Sequence, residues 1–153
     1  MEGPRILFSD VTEDGDVGTG WIYVLRSNSD HPTIKEHRNI IHKIGVTGGD
    51  IKRRLANAKL DPTFLMADVE IVATYELSNI NRARLENVIH TFFEPARLNI
   101  TITDRFGNPI VPREWFLVPL HVIDDVISKI RSNEIVKYCY NPTSASLELL
   151  PGK

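Results

Sequence analysis

Short apolar runs separated by polar turns organise the chain. Gly20-Trp21-Ile22-Tyr23-Val24-Leu25 sets aromatic and β-branched residues side by side and predicts a buried strand over 20–26. Residues 27–38 hold Asn28, Asp30 and Pro32 and read as a loop; 39–47 reads as a second strand, antiparallel to the first once that loop folds back. Gly48-Gly49-Asp50 is a turn into a helix, with Asp50 as N-cap, Ile51 and Leu55 on one face, and a stop near Asp61-Pro62. Residues 67–76 alternate as a third strand, with Val69, Ile71 and Ala73 against Glu70 and Thr74. A helix runs from about Ser78 or Asn79 to Phe93, with apolar positions 85, 88, 89 and 92, and Pro95 ends it. Residues 101–112 read as a loop or hairpin turning at Gly107-Asn108-Pro109, and 114–118 as a short strand. Leu120 to Arg131 is a third amphipathic helix, and 135–140 adds one strand before the tail frays. The expected class is α/β (α+β), a small and mainly antiparallel central sheet flanked by helices. Residues 1–19 form an irregular segment with a short edge strand at Arg5-Ile6-Leu7-Phe8, 20–132 the main domain, and 133–153 a C-terminal extension.

Composition fits that picture. The 153 residues suit one domain, and 42% hydrophobic content is enough for an ordinary core. No apolar run approaches the roughly 20 residues that span a bilayer, so no membrane partner is expected. The amino terminus has no apolar stretch of leader length. Cys139 is the only cysteine, which excludes an internal disulfide and a thiolate zinc cluster; a reducing cytoplasm is the simplest location. Net charge is −2, but it is unevenly spread. Between Glu36 and Lys59 six basic residues (Arg38, Lys43, Lys52, Arg53, Arg54, Lys59) face two acids, whereas between Glu2 and Asp16 five acids face one arginine. A basic patch of this kind holds a phosphate backbone, although on charge alone a solvated surface is the commoner meaning.

Four elements recur in a recognisable order. They are Trp21-Ile22-Tyr23, Lys43-Ile44-Gly45, the helix Asp50-Ile51-Lys52-Arg53-Arg54-Leu55, and Leu85-Glu86-Asn87-Val88-Ile89-His90. Over about residues 20–118 this order resembles the GIY-YIG nuclease family. The later Arg113-Glu114-Trp115-Phe116 resembles a closing element of a phage- and defence-associated branch. The resemblance implies a GIY-YIG-like fold and a DNA endonuclease that uses one Mg²⁺ or Mn²⁺. Tyr23, Lys43, Arg54 and Glu86 would be its catalytic residues, with Glu86 holding the metal. Arg53, Lys52, Lys59 and Asn99 would contact DNA. Helix register favours Arg54 over Arg53 as the phosphate-binding arginine; counting from Gly45 favours Arg53. In this scheme a hydrated ion rests on one carboxylate, Arg54 meets the scissile phosphate, and Tyr23 positions or deprotonates the water. A phenol with a pKa near 10 needs help from a cation such as Lys43. Gly45 leaves space for DNA or a neighbouring side chain. A homodimer, or an additional domain or subunit for targeting, would complete so small a nuclease.

Each residue also has an ordinary role. Tyr23 in a strand is more often core than catalyst, Lys43 a surface lysine, Arg54 an exposed helix charge, and Asn99 a turn cap. Glu86 suits an exposed flank paired with Arg82 or His90. The alternative function is a catalytically inactive module of the same fold that binds nucleic acid within a larger protein. Ala58, standing where many relatives carry His or Tyr, favours it. A third reading is a protein-interaction domain. The five histidines are scattered, and neither an HExxH pattern nor a phosphate-loop motif is present.

Overall fold

The computed structural model describes residues 17–151; the edge strand expected at Arg5–Phe8 lies outside them. The elements run β1 Val17–Ser27, α1 Pro32–Glu36, β2 Ile41–Thr47, α2 Ile51–Arg54, β3 Val69–Asn81 and α3 Arg82–Phe92. They continue as β4 Ile102–Thr103, β5 Pro109–Ile110, β6 Trp115–Leu117, α4 Leu120–Arg131, β7 Tyr138–Asn141 and β8 Ser146–Leu149. The class is mixed α+β, as the hydrophobic pattern predicts. A four-stranded sheet of order β3-β1-β2-β6, antiparallel throughout, lies at its centre.

Strand alternation divides the molecule into two layers. Ile22, Val24 and Ile44 face Leu85 and Ile89 of α3 and Val122, Ile123, Val126, Ile127 and Ile130 of α4. Burying each such side chain stabilises the fold by about 1.5–3 kcal/mol. Tyr23 and Leu25 point to the opposite face, where Ala58 and Phe64 cover them. Ile135 and Tyr140 join the main core, so the C-terminal residues pack instead of fraying. The strand expected over 135–140 opens as a 3₁₀ turn, Ile135–Lys137, before β7 pairs with β8.

Five local expectations need correction. The basic helix after β2 is one turn long; two 3₁₀ turns, Ala58–Leu60 and Pro62–Phe64, replace the rest. The break carries Ala58 and Phe64 beneath Tyr23, and Trp115 Nε1 donates to the Thr63 carbonyl at 2.9 Å to fix the second turn. The 27–38 loop contains α1, whose start is set by Pro32 and by the His31 side chain accepting from the Thr33 amide, and which buries Ile34. β3 continues through Ser78 and Asn79, Asn79 adopting φ 55°, a conformation Asn tolerates; α3 therefore starts at Arg82, with Asn81 as its cap. Within β3, Val24 pairs with Ala73 but Leu25 with Ile71; the bulge at Val72 leaves Ile71 40% exposed instead of inward. The β4–β5 turn is centred on Asp104–Gly107, with Pro109 already in β5.

His42 is sealed in this core. It is fully buried, its Nδ1 lies 2.8 Å from the Val118 carbonyl, and Nε2 has no partner among the described residues. Burial holds its pKa below the usual value; the Val118 bond opposes that shift and the Arg26 charge adds to it. Above the unfolded-state pKa of about 6.5 the group is neutral in both states and its contribution is intact. As pH falls the unfolded chain takes a proton that the folded chain refuses, so stability drops by up to about 1.4 kcal/mol per pH unit. Denaturant titrations at pH 7.5 and 5.5 should show this loss, and His42→Asn, which keeps a donor for Val118, should reduce it. An equal loss in the variant refutes the assignment.

Candidate functional site

The site forms where β2 loses its outer neighbour. β6 pairs with β2 only along Ile41–Lys43, and the Ile44 amide then donates to the Glu114 carbonyl at 3.1 Å. Beyond that point the free backbone groups of β2 must find other partners. Two α3 side chains supply them. His90 Nε2 lies 2.6 Å from the Ile44 carbonyl, and Glu86 Oε2 accepts from the Val46 amide at 3.1 Å. His90 also packs on Phe116, so it joins helix to sheet. Glu86 pairs with neither Arg82 nor His90 in a described contact; it is fixed by the strand edge instead.

On the opposite face Tyr23 lies directly over Gly45, its register partner. Arg54 Nε donates to Tyr23 Oη at 2.8 Å. Burial raises the Tyr23 pKa, and the hydrogen bond and charge of Arg54 only partly offset it. Arg54 in turn is raised above its ordinary value, first by that bond. The charges of Glu114 and Glu86 act on both residues.

Lys43 is placed differently from the role expected for it. Only 2% exposed, it pairs with Glu114 Oε1, and its ammonium sits 4.9 Å from the Phe64 ring centroid. Its charge is answered there, and Tyr23 is a neutral phenol near pH 7. Ala58 closes the floor beneath Tyr23. Arg53 is exposed and lines, with Arg54, an open cleft of about 600 Å³. Lys52 is exposed beside Trp21 and Ile71, and Lys59 makes a 3.5 Å surface pair with Asp68. Asn99 is exposed, and no bond joins it to the Tyr23–Arg54 pair among the described residues.

The T5orf172 domain model matches residues 20–131. The chain belongs to the T5orf172 domain family. This corrects the assignment to the GIY-YIG family: the matching model is the T5orf172 domain, and no GIY-YIG model matches. The T5orf172 match spans both faces of the sheet and ends with α4. A relative from Bacillus subtilis (strain 168), described as the uncharacterized protein YeeC, is 42% identical over 124 residues, covering 81% of this chain and 32% of YeeC. The chain thus spans about a third of the length of that curated relative. No solved structure matches it.

For this T5orf172 domain, sequence reasoning assigned no role to Glu114. Its signal was a lone acid directly before the apolar Trp115-Phe116, a position from which a carboxylate can reach a buried cation.

Proposed function

We propose that this domain is a metal-dependent endonuclease that hydrolyses phosphodiester bonds in DNA. The observation that carries the reading is the Arg54–Tyr23 bond, together with a Glu86 carboxylate anchored at the β2 edge whose charge acts on both residues. Arg54 spends Nε on the phenol and keeps its terminal nitrogens for a phosphate, which a planar guanidinium engages through two parallel bonds. Tyr23, buried and neutral, holds that guanidinium in place instead of acting as a base. Glu86 has one oxygen oriented by the Val46 amide and the other without a partner among the described residues. That suits a hydrated Mg²⁺ or Mn²⁺, which takes one carboxylate and keeps most of its waters. Such an ion, when bound, lowers the pKa of a bound water and offsets phosphoryl charge. Glu86 would hold the ion, and waters and the phosphate would complete its shell.

The test is plasmid nicking by the purified chain with Mg²⁺ or Mn²⁺. Glu86→Gln keeps an acceptor for the Val46 amide but removes the charge; Arg54→Ala removes the phosphate clamp. Each should lower the nicking rate on the order of 100-fold with little change in melting temperature. Nicking that survives both substitutions overturns the mechanism.

Two observations favour a second reading, a domain that binds DNA without cutting it. Tyr23 is sealed from solvent, and Ala58 offers no proton-carrying group beneath it. Salt-sensitive DNA binding with no metal-dependent nicking would select this reading.

A further inference from the structure

We propose that the β4–β5 hairpin tip and the arginine-lined cleft beside it bind a single-stranded DNA segment, with an unpaired base stacked on Phe106. The inference rests on the DNA-directed reading above and narrows its substrate to DNA with unpaired nucleotides.

Phe106 is 74% exposed at the end of a two-residue ladder, the most exposed large hydrophobic residue among the described residues. A single exposed apolar residue is ordinary by itself. Three features set this one apart. First, the tip is held in shape without Phe106 being packed. Asp104 Oδ1 accepts from the Phe106 amide at 2.9 Å and the Asn108 amide at 2.8 Å, and Gly107 supplies the left-handed turn at φ 84°. The ring is therefore presented at little further entropic cost. Second, the Arg105 guanidinium lies 5.0 Å from the ring centroid, a pairing of cation and aromatic that suits a base and its phosphate together. Third, Phe106 and Arg105 line the same cleft as Arg53 and Arg54. A strand held at the tip is thus led to the guanidinium bonded to Tyr23.

The cleft also contains Asp61 and Asp104, but each spends an oxygen on its own turn. Asp61 Oδ1 accepts from the Thr63 amide and hydroxyl, and Asp104 Oδ1 from the two amides already named. Three arginines facing two such aspartates favour a polyanion. A single strand fits better than a duplex because a paired base has both faces covered by its neighbours. An aromatic ring can stack only on a base that is free.

Fluorescence anisotropy with labelled oligo-dT and a blunt duplex of equal length, without metal, tests the proposal. The chain should bind the single strand more tightly. Phe106→Ala should weaken that binding about tenfold while leaving the melting temperature in place, and Phe106→Trp should restore it. Arg105→Ala should reduce both affinity and its salt dependence. Unchanged single-strand affinity in Phe106→Ala, preference for the duplex, or a change only in self-association would overturn the proposal. The two readings fail separately. Binding with these preferences but no nicking under any metal defeats the endonuclease and leaves this site. Nicking of duplex DNA by wild type and Phe106→Ala alike does the reverse.

Discussion

Gly45→Ala should cost about 3 kcal/mol of stability and abolish any activity that depends on Arg54. A Cβ at this position would lie 2.3 Å from both Cζ and Oη of Tyr23 and 2.8 Å from Cε1. The ring cannot retreat. It is fully buried among Leu25, Ala58 and Phe64, and its hydroxyl is tied to Arg54. Backbone entropy acts in the opposite direction, since alanine in a strand is favoured over glycine by about 0.5–1 kcal/mol. The sign of the measured change therefore decides whether the close approach governs this position. Denaturant unfolding of Gly45→Ala gives that sign. The same substitution in a Tyr23→Val background should cost less than about 1 kcal/mol, because the obstructing ring is gone. An equal cost in both backgrounds would show that the glycine answers to something other than Tyr23.

Features written in local sequence were legible before the fold was known. The buried apolar runs of β1 and β2, the Asp50 cap and the apolar face of α4 each depend on neighbours a few residues away, and each is present. The four-stranded α+β sheet follows from them. The misread features depend on distant partners. α2 is cut to one turn because Phe64 is needed under Tyr23 and Trp115 reaches back to Thr63, 52 positions away. The bulge at Val72 is a property of the β1–β3 pairing, and the sequence of β3 alone carries no sign of it. Glu86 and His90 were read along their own helix, whereas both are turned toward a strand edge that exists only because β6 is short. The preference for Arg54 over Arg53 came from helix register, and the residue bonded to Tyr23 is Arg54. The family assignment fails for a related reason. Short triplets constrain a few positions, while the T5orf172 match draws on the whole of residues 20–131.

Glu114→Ala should destabilise the fold by about 3 kcal/mol, since removing one partner of a buried pair strands the other charge. Lys43 is that partner. It is 2% exposed, Phe64 covers its ammonium, and its strand lies in the interior of the sheet, so the side chain has no short route to water. Glu114 is 31% exposed and tolerates isolation better, so Lys43→Met should cost less than Glu114→Ala. Replacing both, as Lys43→Met with Glu114→Leu, should return stability to within about 1 kcal/mol of wild type, because an apolar pair of similar volume avoids the desolvation of two charges. A double-mutant cycle of Lys43→Met, Glu114→Leu and the two together, from urea unfolding at pH 7, reads the coupling directly, and additive single effects would disprove it. The same three variants separate scaffold from chemistry. If the apolar pair keeps nicking, the two charges serve the scaffold and not the reaction. If the apolar pair is stable but inert, the pair's charges belong to the reaction, through the charge of Glu114 that acts on both Tyr23 and Arg54.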